Sequence, residues 1–295
     1  MVDFKSLETF VWVATLGSFR ATAHKLNTTQ PAISQRIAQL ERELGVRLLS
    51  RDKRNVGLTA PGRELMVYAE RLLQLRATML GAIAEPSAMQ GTLRLGVAET
   101  VVHTWLPRFI ERLDATWPRL ALELEVDISL NLRERLLAQE IDLAFLVGPL
   151  SDVTVRNLPL CSFPNAFIAS PKIAFASVPV PVSELIRWPL ITFAKNTQPY
   201  VAVRDLFAHS ELGPPRLHAS ASLATVVRMA LDGIGIAVIP PAIVREDVAA
   251  GRLRIVDAAI AVPDLAFTAS WLIHPDTLVA ERVAAMAAEI AAEDA

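Results

Sequence analysis

The chain has 295 residues, 52% of them hydrophobic and 20% charged, which is enough apolar material and enough length for more than one folded domain. Its formal net charge of −2, averaged over the whole chain, argues against a polyanionic partner. The single cysteine, Cys161, excludes an intramolecular disulfide and a cysteine-based metal cluster. No apolar run reaches the roughly 20 residues of a membrane span, and the first residues do not form a signal peptide, so we expect a cytoplasmic protein with no membrane partner.

The net charge hides a difference between the two ends of the chain. Residues 1–90 contain 12 lysines and arginines against 8 acidic residues, whereas residues 91–295 contain 17 against 23. The basic excess is sharpest between residues 18 and 62. A compact basic unit attached to an acidic body is typical of a phosphate-binding module joined to a part with a separate task.

Residues 1–45 carry the start and stop signals of three helices. The first helix is predicted to end at Gly17, because glycine readily takes the left-handed conformation that closes a helix. Ser18 is the predicted N-cap of the second helix. Thr29 is the predicted N-cap of the third helix. Pro31 lies in the first turn of that helix, where the amide proton that proline lacks is not needed. Gly45 is predicted to end the third helix.

The third predicted helix has one apolar side and one polar side. Its aliphatic residues recur at helical spacing and are predicted to point inward: Ile33, Ile37, Leu40 and Leu44. The residues predicted to face outward are Pro31, Ser34, Gln35, Ala38 and Arg42. Two short strands, 47–50 and 56–59, then bracket the basic segment 51–55, which predicts a small hairpin wing.

A long amphipathic helix is predicted from Ala60 to about residue 88. Its apolar residues form one stripe: Leu65, Tyr68, Leu72, Leu75, Met79 and Ala82. Such a stripe has to be covered by other apolar atoms. Because this helix lies between two domains, a second copy of itself is the simplest cover, so the sequence predicts a dimer formed through this helix.

After a predicted hinge at 86–91, the pattern changes to strands that alternate with helices. Strands are predicted at 93–97, 120–126 and 143–147, and a second set of strands and helices begins near Phe163. The last strand, 267–273, and the helix 277–292 are expected to return to the first set. Two α/β lobes joined by crossing strands predict a hinged clamp around a ligand.

The residues around the third helix resemble a known family. Residues 18–37 read SFRATAHKLNTTQPAISQRI and residues 40–45 read LERELG, a pattern that closely resembles the LysR-type transcriptional regulators. The similarity continues through the wing to Gly62, and the later order of strands and helices resembles the effector domain of that family, so the resemblance covers the whole length. Arg20, in a position that is usually small, and the order of residues 59–62 are mild departures.

The resemblance implies an α/β fold class with an N-terminal winged helix-turn-helix, a long linker helix and a periplasmic-binding-protein-like two-lobed α/β effector domain. It implies double-stranded DNA and a small-molecule effector as partners, self-association into a dimer and a tetramer, RNA polymerase as a further partner, and no cofactor. The expected divisions are residues 1–59 for the DNA-binding domain, 60–90 for the linker (dimerisation) helix and hinge, and 91–295 for the effector domain, with lobe I at about 91–162 plus 266–295 and lobe II at about 163–265.

A recognition helix reads base edges through short polar side chains near its N-terminus, while basic residues bind phosphates. Gln30, Ser34 and Gln35 are the candidates for base edges, and Pro31 is the candidate for thymine methyl groups. Backbone or minor-groove contacts are predicted for the basic residues Arg36, Arg51, Lys53 and Arg54. Three capping or turn residues are candidate phosphate donors as well: Ser18, Thr28 and Thr29. The alternative for the whole helix pattern is a solvated surface without a DNA partner.

Effector-binding residues are predicted where helix N-termini follow strands, because such termini present free amide groups to an anion. By resemblance to the family, Thr100 matches a position where a serine or threonine often bonds the effector, and the same rim contains Val102, His103 and Thr104. The second lobe is predicted to contribute Thr192, Lys195, Thr197, Gln198 and Ser222, and candidate walls are Phe145 and Pro240.

The alternatives at these positions are structural. Thr100 and Ser222 are otherwise N-caps, and His103 and Lys195 are otherwise surface groups. If Lys195, His103 and two helix N-termini converge, a small carboxylate or other anion is favoured as the effector. An aromatic or amide-bearing effector stays open.

Two other classes of function stay open from the sequence. The C-terminal half alone fits a solute-binding protein, although the missing export signal and the basic N-terminal unit oppose it. An α/β clamp with Asp, His, Ser and Lys side chains in a cleft also fits an enzyme. No Gly-x-Ser-x-Gly, Gly-x-Gly-x-x-Gly, P-loop or histidine-rich metal spacing occurs, so we expect no catalytic residues and no metal site.

Overall fold

The computed structural model describes residues 2–51, 56–83, 89–207, 213–273 and 277–293. The chain divides into two compact units, Met1–Ala88 with Ile273–Val279 and Met89–Leu272 with Ala280–Ala295. None of the described helices is both long enough and apolar enough to cross a membrane.

The first unit contains three helices, a short hairpin and a long helix. Their bounds are α1 (Phe4–Leu16), α2 (Phe19–Lys25), α3 (Gln30–Leu44), β1 (Leu49–Arg51), β2 (Val56–Leu58) and α4 (Ala60–Ile83). Strands β1 and β2 pair antiparallel, which confirms the predicted wing hairpin. Residues 52–55, which were predicted to form most of its basic tip, lie outside the described residues.

The predicted caps and ends of α1, α2 and α3 are confirmed, whereas the predicted end of α4 near residue 88 lies outside the described residues. The hydroxyl oxygens of Ser18 and Thr29 accept backbone amide hydrogen bonds in the first turns of α2 and α3, at 3.2 and 3.4 Å. Gly17 and Gly45 close α1 and α3 in the left-handed conformation, with φ angles of 59° and 69°. Local capping chemistry therefore determines where these helices begin and end.

The core of this unit explains why one side of α3 stays outside. Ile33, Ile37 and Leu40 are buried against α1 residues that include Phe10. The prediction of an inward side chain is wrong for Leu44, which is 38% exposed, because the buried cluster on this helix ends at Leu40. Burying the other aliphatic residues leaves the polar side of α3 facing solvent.

One side of α4 completes the same core. Ala69 and Leu73 are buried within it. Gly62, in the first turn of α4, lies so close to the segment before β1 that an added Cβ would clash with the carbonyl oxygen of Leu48. Because that contact is with backbone, a side chain at this position would force α4 away from the wing.

The second unit alternates strands and helices. Its elements are β3 (Gln90–Val97), α5 (Glu99–Val102), α6 (Leu106–Thr116), β4 (Arg119–Val126), α7 (Ser129–Leu137), β5 (Leu143–Val147), β6 (Val155–Phe163), β7 (Ala166–Ala169), α8 (Val182–Leu185), β8 (Leu190–Phe193), α9 (Gln198–Leu206), β9 (Leu217–Ser220), α10 (Leu223–Leu231), β10 (Ile236–Ile239), α11 (Arg245–Ala249), β11 (Arg254–Val256), β12 (Leu265–Leu272) and α12 (Leu278–Ala292). The predicted hinge does not extend to Gly91, because this residue pairs with Leu120 inside the sheet, and residues 86–88 lie outside the described residues.

The described strands of this unit form two sheets. The first has the order β4-β3-β5-β12-β6 and the second β11-β7-β10-β8-β9. In the first sheet β3 pairs in parallel with β4 and β5, while β12 runs antiparallel between β5 and β6. The last strand therefore returns to the first sheet, which confirms that prediction and the two-lobed α/β architecture. We refer to the first sheet and its helices as lobe I and to the second as lobe II.

An aromatic cluster forms part of the core of lobe I. The rings of Trp105 and Phe109 each lie 5.3 Å from the ring of Phe145, measured between centroids. All three side chains are fully buried. The cluster packs the start of α6 against β5, and this fixes the strand end from which a ligand-facing loop leaves.

Candidate functional site

The outward side of α3 carries the residues predicted to read DNA bases. Gln30, Pro31 and Gln35 are exposed and Ser34 is partly exposed. Within the described part of the chain, the side chains of Gln30, Ser34 and Gln35 form no hydrogen bonds. The polar groups of these three side chains therefore stay available for a partner. Together with Pro31, these residues are called the α3 surface below.

Arg36 lies next to the α3 surface but contacts α1. Its Nη1 donates a hydrogen bond to the hydroxyl of Thr9 at 3.1 Å, and Thr9 is fully buried. The pKa of the Asp3 carboxyl is held below its ordinary value, chiefly by the hydrogen bond from the Ser6 amide and less strongly by the charge of Arg36. Arg36 thus braces α3 against α1, and its contact with the DNA backbone stays a prediction.

The other predicted phosphate ligands differ in how much the structure says about them. Thr28 and Thr29 are exposed and Ser18 is partly exposed. The capping hydrogen bonds use oxygen lone pairs of Ser18 and Thr29, so both hydroxyl protons stay available to a phosphate. Three predicted contacts lie outside the described residues: Lys53, Arg54 and the side chain of Arg51.

Glu41 ties the wing to α3, a role that sequence reasoning missed. Its Oε1 accepts hydrogen bonds from the amides of Leu48 and Leu49 at 2.8 and 3.2 Å. The carboxylate therefore sets where the wing strand begins relative to α3. Only the fold brings these residues together, and a single acidic residue on a helix gives no signal of such a contact.

The second side of α4 is apolar and exposed. In contrast to Ala69 and Leu73, which are buried in the core of the first unit, several large side chains of α4 are 47% exposed or more: Val67, Tyr68, Leu72, Leu75 and Met79. Of the predicted stripe, Leu65 packs against that core, whereas Tyr68, Leu72, Leu75 and Met79 are uncovered. An exposed apolar stripe on one helix favours a protein partner.

A cavity of about 510 Å³ is present in the second unit, between lobe I and lobe II. Lobe I contributes residues that follow β3 and β4 and the end of β5, and lobe II contributes residues that follow β8 and β9. The carboxyl ends of parallel strands thus meet around the cavity from both sides. This is where open α/β folds place their ligands.

Four of the predicted effector residues line this cavity: Thr100, Thr197, Gln198 and Ser222. Thr100 is 3% exposed, and its hydroxyl forms no hydrogen bond with the described residues. The hydroxyls of Thr197 and Ser222 cap α9 and α10 by accepting amide hydrogen bonds, each at 3.4 Å. Ser222 is thus an N-cap, as the structural alternative for it predicted, whereas Thr100 caps no helix.

Three predicted rim residues are not part of the described lining: Val102, His103 and Thr104. Nε2 of His103 lies 3.7 Å from Oε1 of Glu99. The Thr104 hydroxyl donates to the carbonyl oxygen of Thr100 at 2.9 Å. Both side chains are thus engaged within or beside α5, and their effector contacts stay predictions.

The remaining predicted residues also lie away from the described lining. Phe145 is in the aromatic core of lobe I, and the buried hydroxyl of Thr192 donates to the carbonyl oxygen of Val238 at 3.1 Å. Lys195 lies in the loop between β8 and α9 and is exposed. Its neighbours Ala194 and Asn196 line the cavity, but Lys195 does not. Pro240 follows β10 and is also absent from that lining.

Sequence reasoning missed three charged residues that line the cavity: Glu99, Asp127 and Arg133. Oε2 of Glu99, in lobe I, accepts a hydrogen bond from the amide of Leu223, in lobe II, at 2.7 Å. Arg133 lies on α7 four residues after Ser129, which also lines the cavity. That helical spacing places both residues on one side of α7, but no feature of the sequence indicates that this side faces the cavity.

The comparisons with known families agree with this geometry. A model of the bacterial regulatory helix-turn-helix protein, lysR family, matches residues 4–63, and a model of the LysR substrate binding domain matches residues 86–294. The chain belongs to the LysR family. It is a LysR-type transcriptional regulator in which a helix-turn-helix DNA-binding domain precedes a two-lobed effector-binding domain.

Relatives of this LysR-type regulator are similar over most of their length. The chain is 31% identical over 265 residues to HTH-type transcriptional regulator BbuR of Bordetella bronchiseptica, which covers 89% of this chain and 80% of that protein. It is 26% identical over 255 residues to HTH-type transcriptional regulator GltR of Bacillus subtilis, with coverages of 86% and 84%.

Solved structures of full-length LysR-type regulators share the fold. LysG from Corynebacterium glutamicum, described with bound effector Arg, has a TM-score of 0.64 and 18% identity and covers 99% of both chains. CrgA from Neisseria meningitidis has a TM-score of 0.57 and 24% identity, again with 99% of both chains covered. At these identities the likeness concerns the fold.

Proposed function

We propose that this regulator recognises specific double-stranded DNA sequences through the α3 surface, and that a small anion bound in the cavity between the lobes controls this recognition. The observation that carries the effector part is Thr100. Its hydroxyl lines the cavity on a residue that is 3% exposed, and it has no hydrogen-bond partner among the described residues. Because this hydroxyl, on a residue of the cavity wall, has no protein partner among those residues, a polar group of a ligand can bond it.

Three further cavity residues from the sequence prediction complete the proposed effector contacts: Thr197, Gln198 and Ser222. They lie on lobe II, opposite Thr100 on lobe I. A ligand that touches both sides favours one angle between the lobes over others, since it gains contacts only when both lobes reach it. The bound effector of LysG supports a small molecule as the ligand of this fold.

The exposed apolar side of α4 supports self-association. We propose a dimer through α4, in which the exposed residues Tyr68, Leu72, Leu75 and Met79 contact a second copy, and assembly of two dimers into a tetramer. Paired DNA-binding domains then read two half-sites, and the effector changes their spacing through the linker helices. The regulator would act in the cytoplasm, with RNA polymerase as a further partner and no catalytic role.

Two measurements on the full-length protein test this function. Genomic DNA fragments retained by the protein are sequenced to find a common motif, whose affinity is then measured in gel-shift titrations. Small metabolites are screened by thermal shift, because a ligand that binds only the folded state raises its apparent stability. The proposal requires one compound that raises the melting temperature and also changes the affinity for the motif.

The variant Thr100→Val makes the screen specific to the cavity. It keeps the shape of the side chain and removes the hydroxyl, so we expect it to weaken binding of that compound by about threefold to tenfold. The matched control is Thr116→Val, whose hydroxyl donates to the carbonyl oxygen of Arg112 within α6. A compound that binds Thr100→Val and wild type equally well would place the effector elsewhere.

A further inference from the structure

We infer that Arg133 is the anion-binding residue of the effector cavity, and that the effector is a monoanion with an apolar body, such as a medium-chain carboxylate. This inference rests on the proposed function, since it concerns the same cavity. It differs from the expectation drawn from the sequence, in which Lys195, His103 and helix N-termini attract the anion. None of those side chains belongs to the described lining, whereas Arg133 does.

Two helix N-termini that lobe II presents at the cavity are already occupied by groups of the protein. At the start of α10, Oε2 of Glu99 accepts the amide hydrogen bond of Leu223 at 2.7 Å, so an anion from lobe I already lies where a ligand anion would bind. At the start of α9, the hydroxyl of Thr197 accepts the hydrogen bond of the Tyr200 amide at 3.4 Å. These two helix ends therefore offer little to an effector anion, which would gain from a positively charged side chain.

Arg133 is that group. It is half-buried, and its guanidinium forms no hydrogen bond or salt bridge with the part of the chain that the structure describes. Its charge reaches Asp152, but the pKa of that carboxyl is lowered chiefly by hydrogen bonds from Thr154, and Arg133 is the smallest contributor. By contrast Arg135, two residues further along the same helix, pairs with Glu125.

A guanidinium at a cavity wall that has no hydrogen-bonding partner favours an anionic ligand. Arg133 is partly buried, and no carboxylate of the described residues forms a hydrogen bond or salt bridge with it. The planar guanidinium presents donors that match both oxygens of a carboxylate, and such a charge-assisted pair is stronger than a neutral hydrogen bond. Among the described lining residues, Arg133 is the one with a positive charge.

The rest of the cavity determines the shape of the ligand. Its walls include Ile128, Leu130, Val147, Leu150 and Phe193, so most of a bound molecule would contact apolar atoms. A volume of about 510 Å³ lies within the usual range for small-molecule sites. Burying an apolar body against these side chains adds affinity in proportion to the area removed from water.

One negative charge on the ligand fits the cavity better than two. Glu99 and Asp127 also line it, and Oδ1 of Asp127 already accepts hydrogen bonds from the Ile128 amide at 2.7 Å and the Asn131 side chain at 2.9 Å. A second anionic group on the ligand would lie among these carboxylates and be repelled. The effector is therefore expected to be a monoanion.

The test is a calorimetric titration of the full-length protein with matched probes. The panel consists of straight-chain carboxylates from butanoate to octanoate and phenyl-substituted carboxylates, each with its neutral amide and a dicarboxylate of equal length. We expect at least one monocarboxylate to bind about tenfold more tightly than its amide and its dicarboxylate. We expect Arg133→Gln to lower the affinity for that probe by about tenfold to a hundredfold. Arg133→Lys keeps the charge but loses the planar guanidinium, so it should lower the affinity by less.

Two further variants make the outcome specific. Arg228→Gln removes an arginine on α10 that is exposed, pairs with Asp232 at 3.0 Å and does not line the cavity, so the affinity for the probe should stay unchanged. Lys195→Gln tests the rival cation. The inference is overturned if no carboxylate in the panel binds wild type, if the amides bind as tightly as the acids, or if Lys195→Gln rather than Arg133→Gln abolishes binding.

DNA binding separates this inference from the proposed function. Arg133→Gln without ligand should bind the selected DNA motif as wild type does, since Arg133 belongs to the second unit and the α3 surface to the first. If the wild-type protein binds no DNA in a sequence-specific way, the proposed function is wrong. If DNA binding is normal but Arg133→Gln binds the carboxylate as tightly as wild type does, only the role of Arg133 is wrong.

Discussion

The side-chain carboxylate of Glu99 accepts a hydrogen bond from the backbone amide of Leu223 at 2.7 Å, although the two residues lie 124 positions apart. Glu99 begins α5 in lobe I, and Leu223 begins α10 in lobe II. Ser222 caps the same helix by accepting the amide hydrogen bond of Thr225. Side chains from both lobes therefore satisfy the first turn of α10, and the contact joins the lobes at the wall of the cavity.

The first prediction concerns this contact. Glu99→Gln keeps a side-chain oxygen that can accept the hydrogen bond but removes the negative charge that the helix N-terminus favours. We expect amide hydrogen exchange at the start of α10 to become faster by about twofold to tenfold, measured by mass spectrometry of the full-length protein. The control is Glu134→Gln, an exposed glutamate on α7. Equal exchange at α10 in Glu99→Gln and wild type would mean that the charge does not hold the lobes together.

Local signals were sufficient to predict most of the first unit. The caps Ser18 and Thr29 and the glycine at position 45 act on amides and backbone angles within a few residues, so their effects can be inferred from the sequence alone. Glu41 shows the limit of that approach. Its contact with the amides of Leu48 and Leu49 depends on how the wing folds back onto α3.

The cavity was harder to predict, because two lobes that are distant in the sequence form its walls. Thr100 was predicted by resemblance, and it does line the cavity. The sequence predicts Lys195 as an anion partner because it follows a predicted strand, and Arg133 is not among the predicted residues. Which side chains face the cavity depends on the packing of α7 and the β8–α9 loop around it, and no local pattern encodes that packing.

The second prediction tests self-association. Leu72 is 47% exposed on α4, so Leu72→Glu should leave the fold intact and place a charge in the proposed dimer contact. We expect the dissociation constant of the dimer to rise at least about tenfold, measured by sedimentation over a range of protein concentrations. Leu44→Glu introduces the same change at an exposed leucine at the end of α3 and should leave the assembly unchanged. An unaltered sedimentation profile for Leu72→Glu would exclude this side of α4 as the interface.

The third prediction concerns pH. The amide of Ser6 donates to the carboxylate of Asp3 at 2.7 Å, and this hydrogen bond is the main reason that the pKa of Asp3 lies below its ordinary value. Because the folded-state pKa is lowered, the stabilisation is present above the unfolded-state pKa of about 3.9 and is lost as pH falls through the folded-state value.

Asp3→Asn separates the charge of this cap from its capping oxygen, since asparagine is also a good N-cap. We expect wild type to have the higher urea midpoint near neutral pH, and the difference between the two proteins to shrink as pH falls below about 4. Urea unfolding followed by circular dichroism at several pH values measures this. A difference that stays constant over that range would show that the carboxylate charge contributes nothing to the stability of α1.

The last prediction concerns the α3 surface. Gln30 is exposed in the first turn of α3, and its side chain has no hydrogen-bond partner among the described residues. Gln30→Ala should therefore leave thermal unfolding nearly unchanged while weakening binding to the selected DNA motif by about 1–3 kcal/mol, because the lost contacts are with base edges. Affinity for unrelated DNA should change little, since phosphate contacts dominate nonspecific binding.

Gln39→Ala is the matched control for this prediction. Gln39 is also exposed on α3, but it donates to Oε1 of Glu43 at 3.2 Å and lies outside the α3 surface. Gel-shift titrations of both variants at one fixed salt concentration measure the difference, because affinity for DNA depends strongly on salt. If Gln30→Ala binds the motif as tightly as Gln39→Ala does, Gln30 does not read a base, and recognition depends on the other residues of α3 or on the wing.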